Sequence, residues 1–267
     1  MASLKDFNGK WALVTGASAG IGVALARELA RSGAKLILTA RRKDRLEALA
    51  AELAAHGTEV RIVPVDLTQP EAPQAIYEAT VGAGLAVEIL INNAGLGQFG
   101  EFASNGLEQE LSQIRVNCEA VVHLSRLFVP PMVERRRGWV MVVASTASFQ
   151  PVPYLSTYAA TKAFDRFFAL GLAEEVASFG VQVTALCPGP TESEFFVVAR
   201  THRFPGEAKM RRSSQSAEEV ARRGLEALAS GKRTIIPYFG GRATAMMVRF
   251  LPVGLITYYV AKMARPK

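Results

Sequence analysis

Short, continuously apolar runs alternate along this chain with Ala/Leu/Glu/Arg-rich stretches of helical length. The apolar, β-rich runs fall at residues 11–15, 35–39, 60–65, 88–91, 139–144, 181–186 and 234–236, and helical stretches such as 22–32 and 45–56 lie between them. Strands that are apolar at every position belong in a sheet covered by helices on both faces. Strand–helix alternation of this kind predicts a parallel, doubly wound α/β sheet with right-handed crossovers. Seven strands are expected, mostly parallel, in one domain over residues 1–242. The sequence has no linker, low-complexity tract or internal repeat that would divide it.

Two segments break the rhythm. Residues 190–214 form a long connection between the sixth strand and a helix starting near Ser216, and loops of that length in compact domains are usually functional lids or mobile segments. Residues 243–267 are strongly apolar and outlast the last strand. Arg249 and Pro252 interrupt this tail, so its longest uncharged run, 250–261, is too short to span a bilayer. The tail is expected to pack as a helical extension on the domain or on a partner subunit of a homodimer or homotetramer. Contact with a membrane surface is the weaker reading.

Composition narrows the function classes. A chain of 267 residues, 49% hydrophobic and 21% charged, is an ordinary globule with room for one large core. Its formal charge of +7 favours anionic ligands. No Lys/Arg block or nucleic-acid-reading motif is present, so nucleic acid is not an expected partner. Cys118 and Cys187 stand far apart in apolar runs and read as buried, reduced thiols of a cytoplasmic protein. The first residues run straight into a strand with no apolar signal core, so nothing indicates export. His56, His123 and His202 share no ligand-like spacing with cysteines or acids, and no metal site is expected.

The candidate chemistry begins at the first strand's end. Gly16-Ala17-Ser18-Ala19-Gly20-Ile21-Gly22 joins that strand to the first helix. Gly16 permits a tight turn, Gly20 lets a pyrophosphate approach the backbone, and Gly22 allows close helix–strand packing. The unpaired N–H groups of the helix then face the anion. A glycine cluster alone is a weak signal, but at this place in an α/β chain it favours a dinucleotide site over a plain turn. The second strand ends Ala40-Arg41-Arg42, without the acid that would hold the ribose 2′-hydroxyl of NAD. Arginine takes a 2′-phosphate well, so the expectation is NADP(H), with Arg41 the chief phosphate partner and Arg42 beside it. Asp66, followed by Leu67, is placed at the adenine, although an acid there could equally cap a loop.

Asn92-Asn93-Ala94-Gly95, Asn117, Ser145, Tyr158-x-x-x-Lys162 and Pro188-Gly189 follow the glycine turn in order. Together they resemble a short-chain dehydrogenase/reductase, over about residues 8–240. The resemblance implies a Rossmann-type fold, a nicotinamide cofactor and a tetrad of Asn117, Ser145, Tyr158 and Lys162. It further implies that Lys162 holds the nicotinamide ribose and that Asn117 supports a proton relay through water. The side chains also make chemical sense unaided. Reducing a carbonyl by hydride requires a proton for its oxygen. A tyrosine, with a pKa of about 10, is a poor partner at neutral pH, and an ammonium one helical turn away is expected to lower it. Ser145, at the carboxyl edge of the sheet, can hydrogen-bond the substrate oxygen. Asn93, Ala94 and Gly95 are placed beside the adenosine ribose, and Pro188, Gly189 and Thr191 beside the nicotinamide, with Thr191 at its carboxamide.

The sequence therefore predicts an NADP(H)-dependent oxidoreductase interconverting a carbonyl and a secondary alcohol. Pro151, Val152, Pro153, Tyr154 and Phe195–Val198 suggest an apolar substrate, a ketone or a 3-oxoacyl thioester. Arg200, Arg203, Lys209, Arg211 and Arg212 could take an anionic group on it, or merely solvate a loop. Two rivals are a catalytically idle dinucleotide sensor, which would not need all four tetrad residues, and a lipid or steroid reductase at a membrane surface.

Overall fold

The structure, a computed structural model, describes residues 3–195, 199 and 214–265. Its centre is a parallel sheet of β1 (Trp11–Thr15), β2 (Lys35–Ala40), β3 (Val60–Pro64), β4 (Val87–Asn92), β5 (Gly138–Val143), β6 (Val181–Leu186) and β7 (Thr234–Ile235). The strand order is β3-β2-β1-β4-β5-β6-β7. All seven expected strands are present, with ends shifted by at most one residue. The helices are α1 (Gly20–Arg31), α2 (Lys43–Ala54), α3 (Ala72–Thr80), α4 (Leu107–Ile114), α5 (Ala120–Glu134), α6 (Ser156–Ala177), α7 (Ala217–Ala229), α8 (Phe239–Val248) and α9 (Val253–Ala264).

Side chains alternate across each strand, so a continuously apolar strand feeds two cores at once. Ala12, Val14, Leu36, Leu38, Ile89, Ile91 and Met141 pack on one face with α1, α2 and α7. Leu13, Ile37, Leu90, Val140 and Val142 pack on the other with α5 and α6. Every residue of β1, β4 and β5 is buried. This double cover explains why those strands lack a polar face. The order reverses between β1 and β4, and the crevice at the carboxyl ends of these strands is where ligands bind in open α/β sheets.

The tail forms two helices as expected, touches the domain through Arg265, whose Nε donates to the Tyr154 hydroxyl at 3.4 Å, and buries few of its own residues. Of α8 only Gly241, and of α9 only Ile256 and Ala264, are buried. Met246, Met247, Phe250, Tyr258, Tyr259 and Met263 are exposed. Pro252 separates the two helices as the N-cap of α9, consistent with a residue that cannot continue α8. Among the described residues no helix is long and apolar enough to cross a membrane. Most of the expected 190–214 lid lies outside the described residues, including Phe196, Val197, Val198, Arg200, Arg203, Lys209, Arg211 and Arg212.

Candidate active site

The glycine turn has the geometry that close approach requires. Gly16 and Gly20 take positive φ values of 66° and 52°, a region costly for other residues. A Cβ on Gly22 would lie 2.2 Å from the Gly16 carbonyl oxygen, so helix and strand meet here only because the side chain is missing. Ala19 is the N-cap of α1 and supplies no side-chain acceptor, which leaves the amides at the helix start free for an anion. Ile21 turns inward onto the first core. Asn93 locks the turn to β4: its Nδ2 donates to the Thr15 carbonyl at 2.8 Å. The Thr15 hydroxyl in turn accepts from the amides of Asn93 and Ala94, both at 2.9 Å.

At the end of β2 the two arginines separate. Arg41 points outward, 59% exposed, and meets Asp66 at 4.0 Å. Arg42 turns back over the glycine loop, where its Nη2 donates to the Ser18 hydroxyl at 3.0 Å. Its Nη1 donates to the Glu194 carboxylate at 2.7 Å, and Arg45 grips the same carboxylate at 2.5 Å. Arg42 and Arg45 thus already grip an anion, while Arg41, expected to lead, stays exposed at the same strand end. Asp66 behaves as a loop cap, its Oδ1 accepting from the Thr68 amide at 3.0 Å. Leu67 beside it is half-buried against the second core.

The tetrad candidates converge at the carboxyl edge. Ser145 is the N-cap of a short 3-10 turn, Thr146–Phe149, and its hydroxyl accepts from the Ala147 amide at 3.1 Å. Tyr158, in the first turn of α6, is in hydrogen-bonding contact with Ser145 and within the field of Lys162. Its ring packs 5.1 Å from that of Phe195. The Lys162 ammonium donates to the Val143 carbonyl at 2.7 Å and to Asp165 at 2.9 Å, deep under the site. Gly95 lies directly above it; a Cβ there would sit 3.3 Å from Nζ. Asn117 is fully buried in a π-helical segment, Arg115–Glu119, between α4 and α5. Such bulges frequently mark functional positions. The Asn117 side chain is spent on protein groups, donating to the Leu96 carbonyl and Thr161 hydroxyl and accepting from the Leu96 amide. It ties the loop after β4 to α6.

The electrostatics differ from expectation in one respect. The Tyr158 phenol is held above its ordinary value of 10, not below it. Burial is the main cause. Lys162 and the hydrogen bond with Ser145 pull it down, and the Asp165 carboxylate pushes it up again. The ammonium alone is visible in the Tyr-x-x-x-Lys spacing; the desolvation and the neighbouring acid act only in the folded site.

After β6, the Pro188 carbonyl accepts from the Thr146 amide at 2.9 Å, joining this loop to the Ser145 turn. Gly189 is roofed by Tyr238, whose ring would stand 2.4 Å from a Cβ there. Thr191 is buried, and its hydroxyl donates to the Gly189 carbonyl at 3.0 Å. Sequence reasoning overlooked Arg45, Asp165, Glu194 and Tyr238. Asp165 alone left a signal, as an acid in an apolar helix three residues past Lys162. Among the described residues no cluster of His, Cys, Asp and Glu could hold a metal ion.

Comparison with known proteins accords with this arrangement. The model of the short chain dehydrogenase family matches residues 10–203. The bovine (Bos taurus) very-long-chain 3-oxoacyl-CoA reductase is 36% identical over 192 residues, 70% of this chain and 61% of the relative. Hydroxysteroid dehydrogenase-like protein 1 of Gallus gallus is 35% identical over 232 residues, 85% of this chain and 67% of the relative. This chain thus spans about two thirds of the length of these curated relatives, or less. A short-chain dehydrogenase from Sphingobium yanoikuyae, solved in complex with NADPH, superimposes with a TM-score of 0.79. It is 30% identical, and the match covers 97% of each chain. The glycine cradle, the Ser145–Tyr158–Lys162 cluster and these matches lead to one conclusion: the chain belongs to the short-chain dehydrogenase family.

Proposed function

We propose that this protein is an NADP(H)-dependent oxidoreductase that interconverts a ketone and a secondary alcohol on an apolar substrate of the 3-oxoacyl type. The observation that carries the reading is the meeting of Tyr158, Ser145 and Lys162 at the carboxyl edge of the sheet, one loop away from the glycine cradle.

The residues present fit a phosphorylated dinucleotide. The uncapped start of α1 and the missing side chain at Gly22 make an anion cradle. Arg42 and Arg45 already hold a carboxylate beside Ser18, and a 2′-phosphate has the chemistry to take that place. When bound, the nicotinamide supplies or accepts the hydride. Gly95, Lys162, Pro188, Gly189 and Thr191 are the residues that would hold it. Tyr158 gives a proton to the substrate oxygen in reduction and removes one in oxidation. Ser145 donates a hydrogen bond to that oxygen as charge develops on it. Lys162 holds the cationic side of the site, and Asn117 fixes the loop and helix between which it lies.

The Phe195 ring against Tyr158 supports an apolar substrate, as does the name of the bovine relative. The two free cysteines support a cytoplasmic setting, and the exposed faces of α8 and α9 support subunit contact in a homo-oligomer. The test is NADPH absorbance against 3-oxoacyl thioesters of increasing chain length and against steroid ketones, with identification of the alcohol formed. Consumption only with steroid ketones would move the substrate class. None with any carbonyl, despite NADPH binding, would defeat the reading.

A further inference from the structure

Lys162 is not the only charge beneath Tyr158. Asp165 follows it by one turn of α6, is 1% exposed, and accepts from the Lys162 ammonium through Oδ2 at 2.9 Å. Its second oxygen, Oδ1, is buried with no hydrogen-bond partner. A buried carboxylate with one oxygen unsatisfied costs folding stability that an apolar residue of similar size would not. The 1% exposure of Asp165 makes an apolar side chain the cheaper choice at this position. A costly group at the centre of a site calls for a functional reason.

The titratable groups facing Asp165 are few. Tyr158 and Lys162 lie on its own helix, Cys118 on the π-helical segment, and Cys187 just past β6. Burial pushes both thiols up to about 12, so at neutral pH they carry no charge. Burial also pushes the Asp165 carboxyl up to about 6, against the pull of Lys162, which leaves it ionised at neutral pH. The cluster thus consists of one phenol, one ammonium and one carboxylate.

We propose that Asp165 is a positioning residue for the proton transfer at Tyr158, holding the Lys162 ammonium under the site and cancelling its charge so that the phenol stays protonated, the form that carbonyl reduction consumes. This inference rests on the reading of Tyr158 as proton donor. The charge count gives its sign. With Asp165 ionised, the cluster is neutral and removing the phenol proton leaves a buried net negative charge. With an uncharged residue at 165 the cluster begins at plus one, and the same loss brings it to zero. The phenol therefore ionises more readily without the carboxylate.

The test is a pH titration of the phenolate ultraviolet band in cofactor-free protein, taken as wild type minus Tyr158→Phe, alongside the pH profile of kcat/KM for ketone reduction. Asp165→Asn, which keeps shape and an acceptor, should move both the phenolate titration and the alkaline limb to lower pH by roughly one to three units. Asp165→Leu should do the same, and Asp165→Glu should return both toward the wild-type position. A loss of activity with unmoved titrations would be a purely structural effect. Unmoved or upward-shifted titrations in either folded neutral variant overturn the proposal. A fully active Tyr158→Phe variant would instead sink the underlying reading of Tyr158, so the two failures are distinguishable.

Discussion

The chain carries the spacing Tyr-x-x-x-Lys twice, and the two copies could hardly be placed more differently. Tyr158 and Lys162 open α6; Tyr258 lies midway along α9 and Lys262 in its last turn. Both pairs share a helix face by the same 3.6-residue geometry. In α6 the lysine is 4% exposed and bonded to a strand carbonyl and a carboxylate, and the tyrosine touches a serine at the sheet edge. In α9 the tyrosine is 63% exposed and the lysine lies in solvent. Water screens the second pair, where exposed charges interact weakly. Around the first pair the low local polarity makes every nearby charge count. The lesson is that spacing creates proximity, and only burial at the crevice turns proximity into chemistry.

The comparison can be broken or sharpened in order of expected effect. Ser145→Ala removes the donor to the substrate oxygen and should lower kcat by about 10²- to 10³-fold with NADPH binding retained. A loss of less than threefold would show that the first pair works without its serine. Arg42→Ala should weaken NADPH binding about ten- to a hundredfold, the loss of one charge-assisted hydrogen-bonded anion contact. It should leave NADH binding little changed, whereas Arg41→Ala should be milder because Arg41 is outward-facing. A fluorescence titration that ranks the two the other way would restore Arg41 to the leading role. Finally, Tyr258→Phe and Lys262→Ala should leave turnover unchanged and shift unfolding free energy by no more than about 0.5 kcal/mol. A tenfold loss of turnover there would mean that the second pair is also engaged, for example through a partner subunit.

The strands and the crevice were legible because each is a local statement. Continuous runs such as Trp11–Thr15 and Val181–Leu186 announce burial on two faces, and the Gly16–Gly22 spacing announces a tight strand-to-helix turn. The converging Ser145, Tyr158 and Lys162 were legible because the first two lie in adjacent segments and the third one helical turn on. What escaped was long-range or energetic. Glu194 reaches Arg42 and Arg45 across some 150 residues, and no pattern links them. Which of two neighbouring arginines turns inward depends on side-chain direction at the start of α2. The rise in the Tyr158 pKa depends on desolvation, a property of the folded volume around the phenol. The tail's apolar pattern predicted helices correctly but could not say what they pack against.

The most direct trial of the account sets turnover against binding in Tyr158→Phe. The variant and wild type are titrated with NADPH by fluorescence, then assayed with the same 3-oxoacyl thioester. The account predicts unchanged NADPH affinity with turnover reduced by about 10²- to 10⁴-fold, the span of a lost general acid. Turnover within a few-fold of wild type would contradict it.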